Sequence, residues 1–366
     1  MNGVQYKCNA REVMERLTAL VERKAMDQVF AAFLPPSETM KEFQKKYKGF
    51  TQYPDPHERI RFWDNLLQER MRLEDDNIPA AYPSEFDQGL YGGMLGGDVR
   101  FLAVTDDGYV ASGWISSMVP HVLENWAGFD ALRFDENNLW YKRFIKQLHI
   151  MREKAEGKFG IGHLIAIDSL TFVYELVGAT DTYISMVEQP EMVRRAIDFG
   201  FDLNLRVQRT FFEIVGTLEG GTCSYVLPWA PGTLLNESVD PFHMTSLADF
   251  EKWGREPAQR LISQFDGALL HLHANGWHLL EAVCTIPGMK AILMVNEKDH
   301  TPALQQIATL RKRAGDMPLS VMVSYDEFTQ ALERHMLAGG VFYYVSGVPS
   351  IDASNRWMEK VRSYRV

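Results

Sequence analysis

At 366 residues, with 46% hydrophobic and 23% charged positions, the chain can bury one large core or two modest ones, and its composition lies far from the disordered range. A formal charge of −10 with scattered Lys and Arg residues excludes a surface built to neutralise phosphates, so no nucleic-acid partner is expected. No run reaches the ~20 apolar residues of a membrane span, the N-terminus lacks a signal peptide's apolar stretch, and Cys8, Cys223 and Cys284 lie far apart without CxxC spacing, so a soluble cytoplasmic protein is expected.

The chain opens with apolar positions at helical spacing from Asn9 to Phe33 and again from Pro56 to Asp75, where Asp55 and Pro56 read as an N-cap and a first-turn proline. Residues 1–76 therefore read as a helical extension. "YGGMLGGD", residues 91–98, is Gly-rich but matches neither GxGxxG after a strand nor Walker A, and reads as a turn. "DVRFLAVTDDGYVASGW", residues 98–114, reads as an inserted β-hairpin around Asp-Asp-Gly. A long amphipathic helix follows near residues 137–156.

From there strand-like and helical runs alternate. With "NIPAAY" at residue 77, the strand candidates are "FGIGHLIAI", "TCSYVL", "LLNESVD", "ALLHLH", "MKAILMV", "PLSVMV" and "VFYYVS". Such alternation implies parallel strands with right-handed crossovers, and this number of strands predicts closure into a (β/α)8 TIM barrel over residues 77–366.

The run "ALLHLHANGWHLLEAV" places the candidate centre. On a strand Leu270 and Leu272 face one side while His271 and His273 face the other, into the barrel at its C-terminal mouth. Same-face neighbours have Cα atoms about 6.5–7 Å apart, close enough for two imidazoles to share one ion. His278 falls in the following helix and reads as a surface residue.

Other candidates end strands. Asn236, Ser238 and Asp240 share one face of "NESVD", and Asp168 follows "LIAI" directly. Both aspartates suit proton transfer if buried, and helix N-capping explains them equally well. Asn275, Asn296, Glu297 and Ser346 read as pocket lining, and Tyr225 and Trp229 sit on a loop that could stack on a flat ligand. Cys223 and Cys284 read as small core residues.

Several motifs in order resemble the uroporphyrinogen decarboxylase superfamily. They are "LVGATDTYISMVEQPEMVRRAIDFGFDLNLRV", "LNESVDPFHMTSLADFEKWGREPAQRLISQF", the histidine strand, "IPGMKAILMVNEKD" and "VFYYVSGVPSIDASNRWMEKVRSY". The resemblance covers about residue 77 to the end and implies the same barrel.

It also sorts the chemistry. The porphyrinogen decarboxylases share an N-terminal Arg-Gln-Ala-Gly-Arg loop that holds substrate carboxylates, and this chain has "YPSEFDQGLYGGMLGG" in that neighbourhood instead. The methyltransferase branches hold zinc with His-x-Cys and a late cysteine; here His-x-His stands in its place and "YYVSGVPS" has no cysteine. The resemblance then implies a metal-assisted methyltransferase acting with a corrinoid or a methylated small molecule. Its zinc, or another divalent ion, would be held by His271, His273 and either Glu237 or Asp240.

Two alternatives stay open: a metal-free decarboxylase or other lyase using Asp240 or Asp168 as the acid with His271 orienting the substrate, and a degenerate barrel that only binds. The expected partners are a small-molecule substrate and a corrinoid protein, with a homodimer as the commonest default.

Overall fold

The computed structural model describes residues 4–103 and 113–366. Its frame is a parallel sheet of six strands, in the order Val29–Leu34, Val341–Ser346, Leu319–Ser324, Met289–Val295, Gly267–His273 and Leu234–Glu237. A shorter parallel pair joins Ala80–Ala81 to Gly160–Ile161. Parallel bridging of Ile165 to Asn236 and the bond from Asp76 N to Ala31 O (2.8 Å) lead from that pair to the two edges of the large sheet. Of the closed ring expected from the sequence, the ladders thus hold a mixed α/β fold with six strands in one sheet.

Both faces of the large sheet are buried, as parallel strands between crossover helices require. Alternate residues sort into two apolar clusters. Val29, Ala31, Leu270, Leu272, Tyr343 and Val345 pack in the larger one with the helices, whereas Phe30, Ala32, Leu269, Leu293, Val295 and Tyr344 share the other. Helices such as Tyr325–Glu333 and Leu247–Trp253 start at serines that close capping boxes, Ser324 with Glu327 and Ser246 with Asp249. Among the described residues no helix is long and apolar enough to cross a membrane.

Four expectations are corrected or refined. The helix expected from Asn9 to Phe33 is a helix only over Ala10–Val21, and Val29–Leu34 is an edge strand paired in register with Val341–Ser346. "VFAAFL" is apolar on both sides because both sides are covered, so it carries no alternation to tell strand from helix. Residues 1–76 are therefore part of the sheet as well as of the helical layer, and Asp75, which accepts from Phe33 N (2.8 Å) and Lys7 Nζ (2.7 Å), ties the two ends of the segment to its strand.

"TCSYVL" contributes Gly221–Cys223 to an antiparallel pair with Trp229–Pro231, outside the large sheet. The supposed turn at residues 91–98 begins inside the helix Gln88–Met94. Its glycines permit close packing: a Cβ on Gly89 would lie 2.6 Å from Met118 N, and one on Gly92 would collide with Glu175 Oε2. The hairpin strands are Arg100–Ala103 and Ile115–Met118, joined by Gly49–Thr51 as a third antiparallel strand, and the Asp-Asp-Gly turn lies outside the described residues.

Candidate metal centre at the strand ends

Register builds the centre. Leu270 pairs with Glu237, the last residue of its neighbouring strand, so His271 and His273 extend beyond that strand to where the chain turns through Asp240–Met244. Asp240 Oδ1 stands 3.3 Å from His271 Nε2 and 3.9 Å from His273 Nε2. One ligand atom from each of the three residues lies within 4.8 Å of the others. The two rings meet edge to face with centroids 5.2 Å apart.

Each imidazole is held from behind. Tyr225 Oη lies 2.7 Å from His271 Nδ1, and Glu297 Oε1 contacts His273 Nδ1. An ionised carboxylate only accepts, so Nδ1 of His273 is the donor to Glu297, and its Nε2 faces Asp240. Gln88 Nε2 donates to the other carboxylate oxygen of Asp240 at 3.5 Å, while buried Oδ1 receives no well-formed hydrogen bond. His243, its ring 5.5 Å from that of His273, has a buried and unpartnered Nε2.

The electrostatics follow from this crowding. Burial opposes ionisation of Asp240, but the adjacent His271, His273 and His243 outweigh it and hold its pKa well below the ordinary carboxylate range. The 28% of its side-chain surface still open to solvent screens part of that attraction. Burial lowers His271 too, and is overcome by Asp240, which raises it. His243 is drawn down to about 4, chiefly by burial.

The remaining candidates divide. Asp168 is the N-cap of the helix Ser169–Val177, accepting from Leu170 N (2.9 Å) and Thr171 N (3.0 Å), and Ser238 Oγ donates to it at 3.2 Å. Burial raises it to about 6, with the nearby Asp240 charge adding to the effect. Glu237 does not join the histidines: it is buried with Asp168 beside a small cavity of about 30 Å³ among apolar side chains, and burial first, then Asp168, pushes its pKa well up. The carboxylate that stands with His271 and His273 in a group able to hold an ion is Asp240 and not Glu237.

Tyr225 and Glu297 reach the centre as partners of the rings. Trp229 does not: it is buried in its hairpin, where its Nε1 donates to Leu218 O at 2.8 Å. Asn236 is tied to His163 O (2.6 Å), and Asn296 bonds Met322 O (3.0 Å) and Ala303 N (2.8 Å), so both brace neighbouring segments. Asn275 is exposed, and Ser346 Oγ reaches Val323 O at 3.4 Å. His278 is exposed as expected. Gln88 and His243 come from segments whose sequence carries no strand-end signal, and were not among the candidates.

An α/β fold with paired imidazoles and a carboxylate beyond the ends of parallel strands defines the class. No family model matches the chain, and no curated protein matches it. Among solved structures it is similar to a methyltransferase from Methanosarcina mazei, with a TM-score of 0.60 at 14% identity over 96% of this chain and 98% of that one. At that identity the likeness is one of fold.

Proposed function

We propose that the protein is an enzyme of the uroporphyrinogen decarboxylase superfamily, a (β/α)8 barrel that transfers a methyl group between a corrinoid or methylated small molecule and an acceptor, with a divalent ion at His271, His273 and Asp240. The observation that carries this reading is the orientation of the rings: both are held through Nδ1 and both present Nε2 to the same carboxylate oxygen of Asp240. Outer partners that fix ring and tautomer in this way are the usual companions of metal-binding histidines. The likeness to a methyltransferase fold supports the choice of reaction.

The donors fit zinc or a similar divalent ion, since two imidazole nitrogens and a carboxylate oxygen form a familiar set and leave room for an acceptor. When bound, such an ion supplies Lewis acidity that holds an acceptor thiol deprotonated at neutral pH. The chain's own part is positional and electrostatic. Glu297 keeps the proton of His273 on Nδ1, Tyr225 holds the ring of His271, and Asp240 offsets the charge. Asp168 acts through Ser238 and through its field, with a pKa near 6 that lets it hold a proton at mildly acidic pH. Among the described residues the cluster that could hold an ion contains no cysteine.

The test is turnover with methylcobalamin and a panel of thiols. Chelator-sensitive transfer, abolished in His271→Ala and His273→Ala variants that keep the wild-type circular dichroism, is the expected result. Carbon dioxide release from carboxylic acids that ignores chelators and disappears in Asp240→Asn would make the protein a lyase. Ligand-induced stabilisation without turnover would make it a binding barrel.

A further inference from the structure

A second cavity, of about 60 Å³, lies next to the centre and is lined by Trp63, Arg70, Tyr82, Trp114, Tyr225 and Tyr344 among others. Tyr225 is the link, because the hydroxyl that meets His271 belongs to a side chain of this lining. A file of rings forms one wall, with centroids 5.7 Å apart from Trp63 to Tyr82, 5.5 Å from Tyr82 to Trp114 and 5.6 Å from Trp114 to Tyr225. At about 30 Å³ of liquid volume per water the space is worth about two waters, well short of the roughly 150 Å³ that holds a benzene ring, which suits a ligand of about formate or acetate size.

The polar atoms of this lining are unusual. Trp63 Nε1, Arg70 Nε and Tyr344 Oη are buried and have no hydrogen-bond partner among the described residues. Trp63 and Tyr344 are each only 5% exposed. Buried donors are rarely left unpaired, so three on residues that line one cavity argue for an acceptor that completes them. Among the described residues no carboxylate lines the cavity. Burial brings the Arg70 guanidinium down to about 10 against the opposing charges of Asp75 and Glu69, so it stays charged at neutral pH.

We propose that this cavity binds a small organic carboxylate, its anionic group on Arg70, Trp63 and Tyr344 and its apolar body along the ring wall, with Tyr225 between ligand and metal centre. One guanidinium and two neutral donors balance a single negative charge, whereas a phosphate dianion would leave excess charge buried. That the carboxylate is the methyl acceptor rests on the proposed transfer reaction; its binding does not. Arg70 follows directly after the helix Pro56–Glu69, so the segment that reads as an extension would supply the charge of the pocket.

The full chain is titrated calorimetrically with acetate, ethanol and methylphosphonate, and its metal content is measured in parallel. Acetate should bind, weaken at least about tenfold in Arg70→Met and several-fold in Tyr344→Phe, and leave metal content unchanged in both. Binding of acetate should persist in His271→Ala, which separates this pocket from the metal: metal unaltered in His271→Ala overturns the metal reading and leaves the pocket standing. No binding of acetate, equal binding of ethanol, undiminished binding in Arg70→Met and Tyr344→Phe, or tighter binding of methylphosphonate than of acetate would overturn the proposal.

Discussion

His163 shows what one buried ring does to the pH response of the whole protein. It is fully buried, stacks against Phe212 with centroids 5.1 Å apart, accepts from Asn236 N at 3.2 Å and leaves its Nε2 without a partner. Burial drives its pKa from an ordinary 6.5 to about 3. Between those values the unfolded chain binds a proton that the native chain refuses, so the stability it contributes is whole above pH 6.5 and is lost as pH falls toward 3. Urea denaturation from pH 7 to pH 4 should show a slope from this residue approaching about 1.4 kcal/mol per pH unit, reduced in His163→Phe. An unchanged slope in the variant would mean that other groups carry the acid response. The His-x-His pair is more legible in the sequence than this residue, because a period of two puts both imidazoles on one face wherever the strand goes. Glu237 against Asp240 was not decidable from spacing, since strand and turn geometry choose between them.

At the scale of elements, the helix Gln88–Met94 is set by its glycines. Gly92 N donates to Glu175 Oε2 at 2.8 Å, and the absence of a side chain there lets the helix lie against Val119 and the helix Ser169–Val177. Gly92→Ala should cost about 1–3 kcal/mol through overpacking and displace Gln88 from Asp240, read as a lower midpoint in urea at an unchanged m-value. A neutral change would show that this interface yields freely. Such a helix hides in a Gly-rich run because its reason for glycine is close approach, which composition does not distinguish from a turn. The later strands were readable for the opposite reason: "MKAILMV" and "VFYYVS" are bounded by turns and separated by periodic helices.

For the whole molecule, the alternation of strands and helices predicted parallel pairing, and the large sheet has it throughout. The first strand was hidden, and with it the role of residues 1–76. Because Val29–Leu34 pairs along Val341–Ser346, and Arg59 pairs with the buried Glu85, removing residues 1–76 opens an edge and leaves a buried carboxylate without its cation. Residues 77–366 expressed alone should be insoluble or molten, with lost near-ultraviolet dichroism; a cooperative unfolding transition in that fragment would restore the reading of an appended extension. The central claim is that His271, His273 and Asp240 together hold an ion. The most direct measurement is titration of zinc into chelator-stripped protein, comparing wild type with Asp240→Asn and Glu237→Gln. The account predicts one site in wild type, kept in Glu237→Gln and weakened at least about tenfold in Asp240→Asn. Equal affinity in all three proteins, or no binding in the wild type, would contradict it.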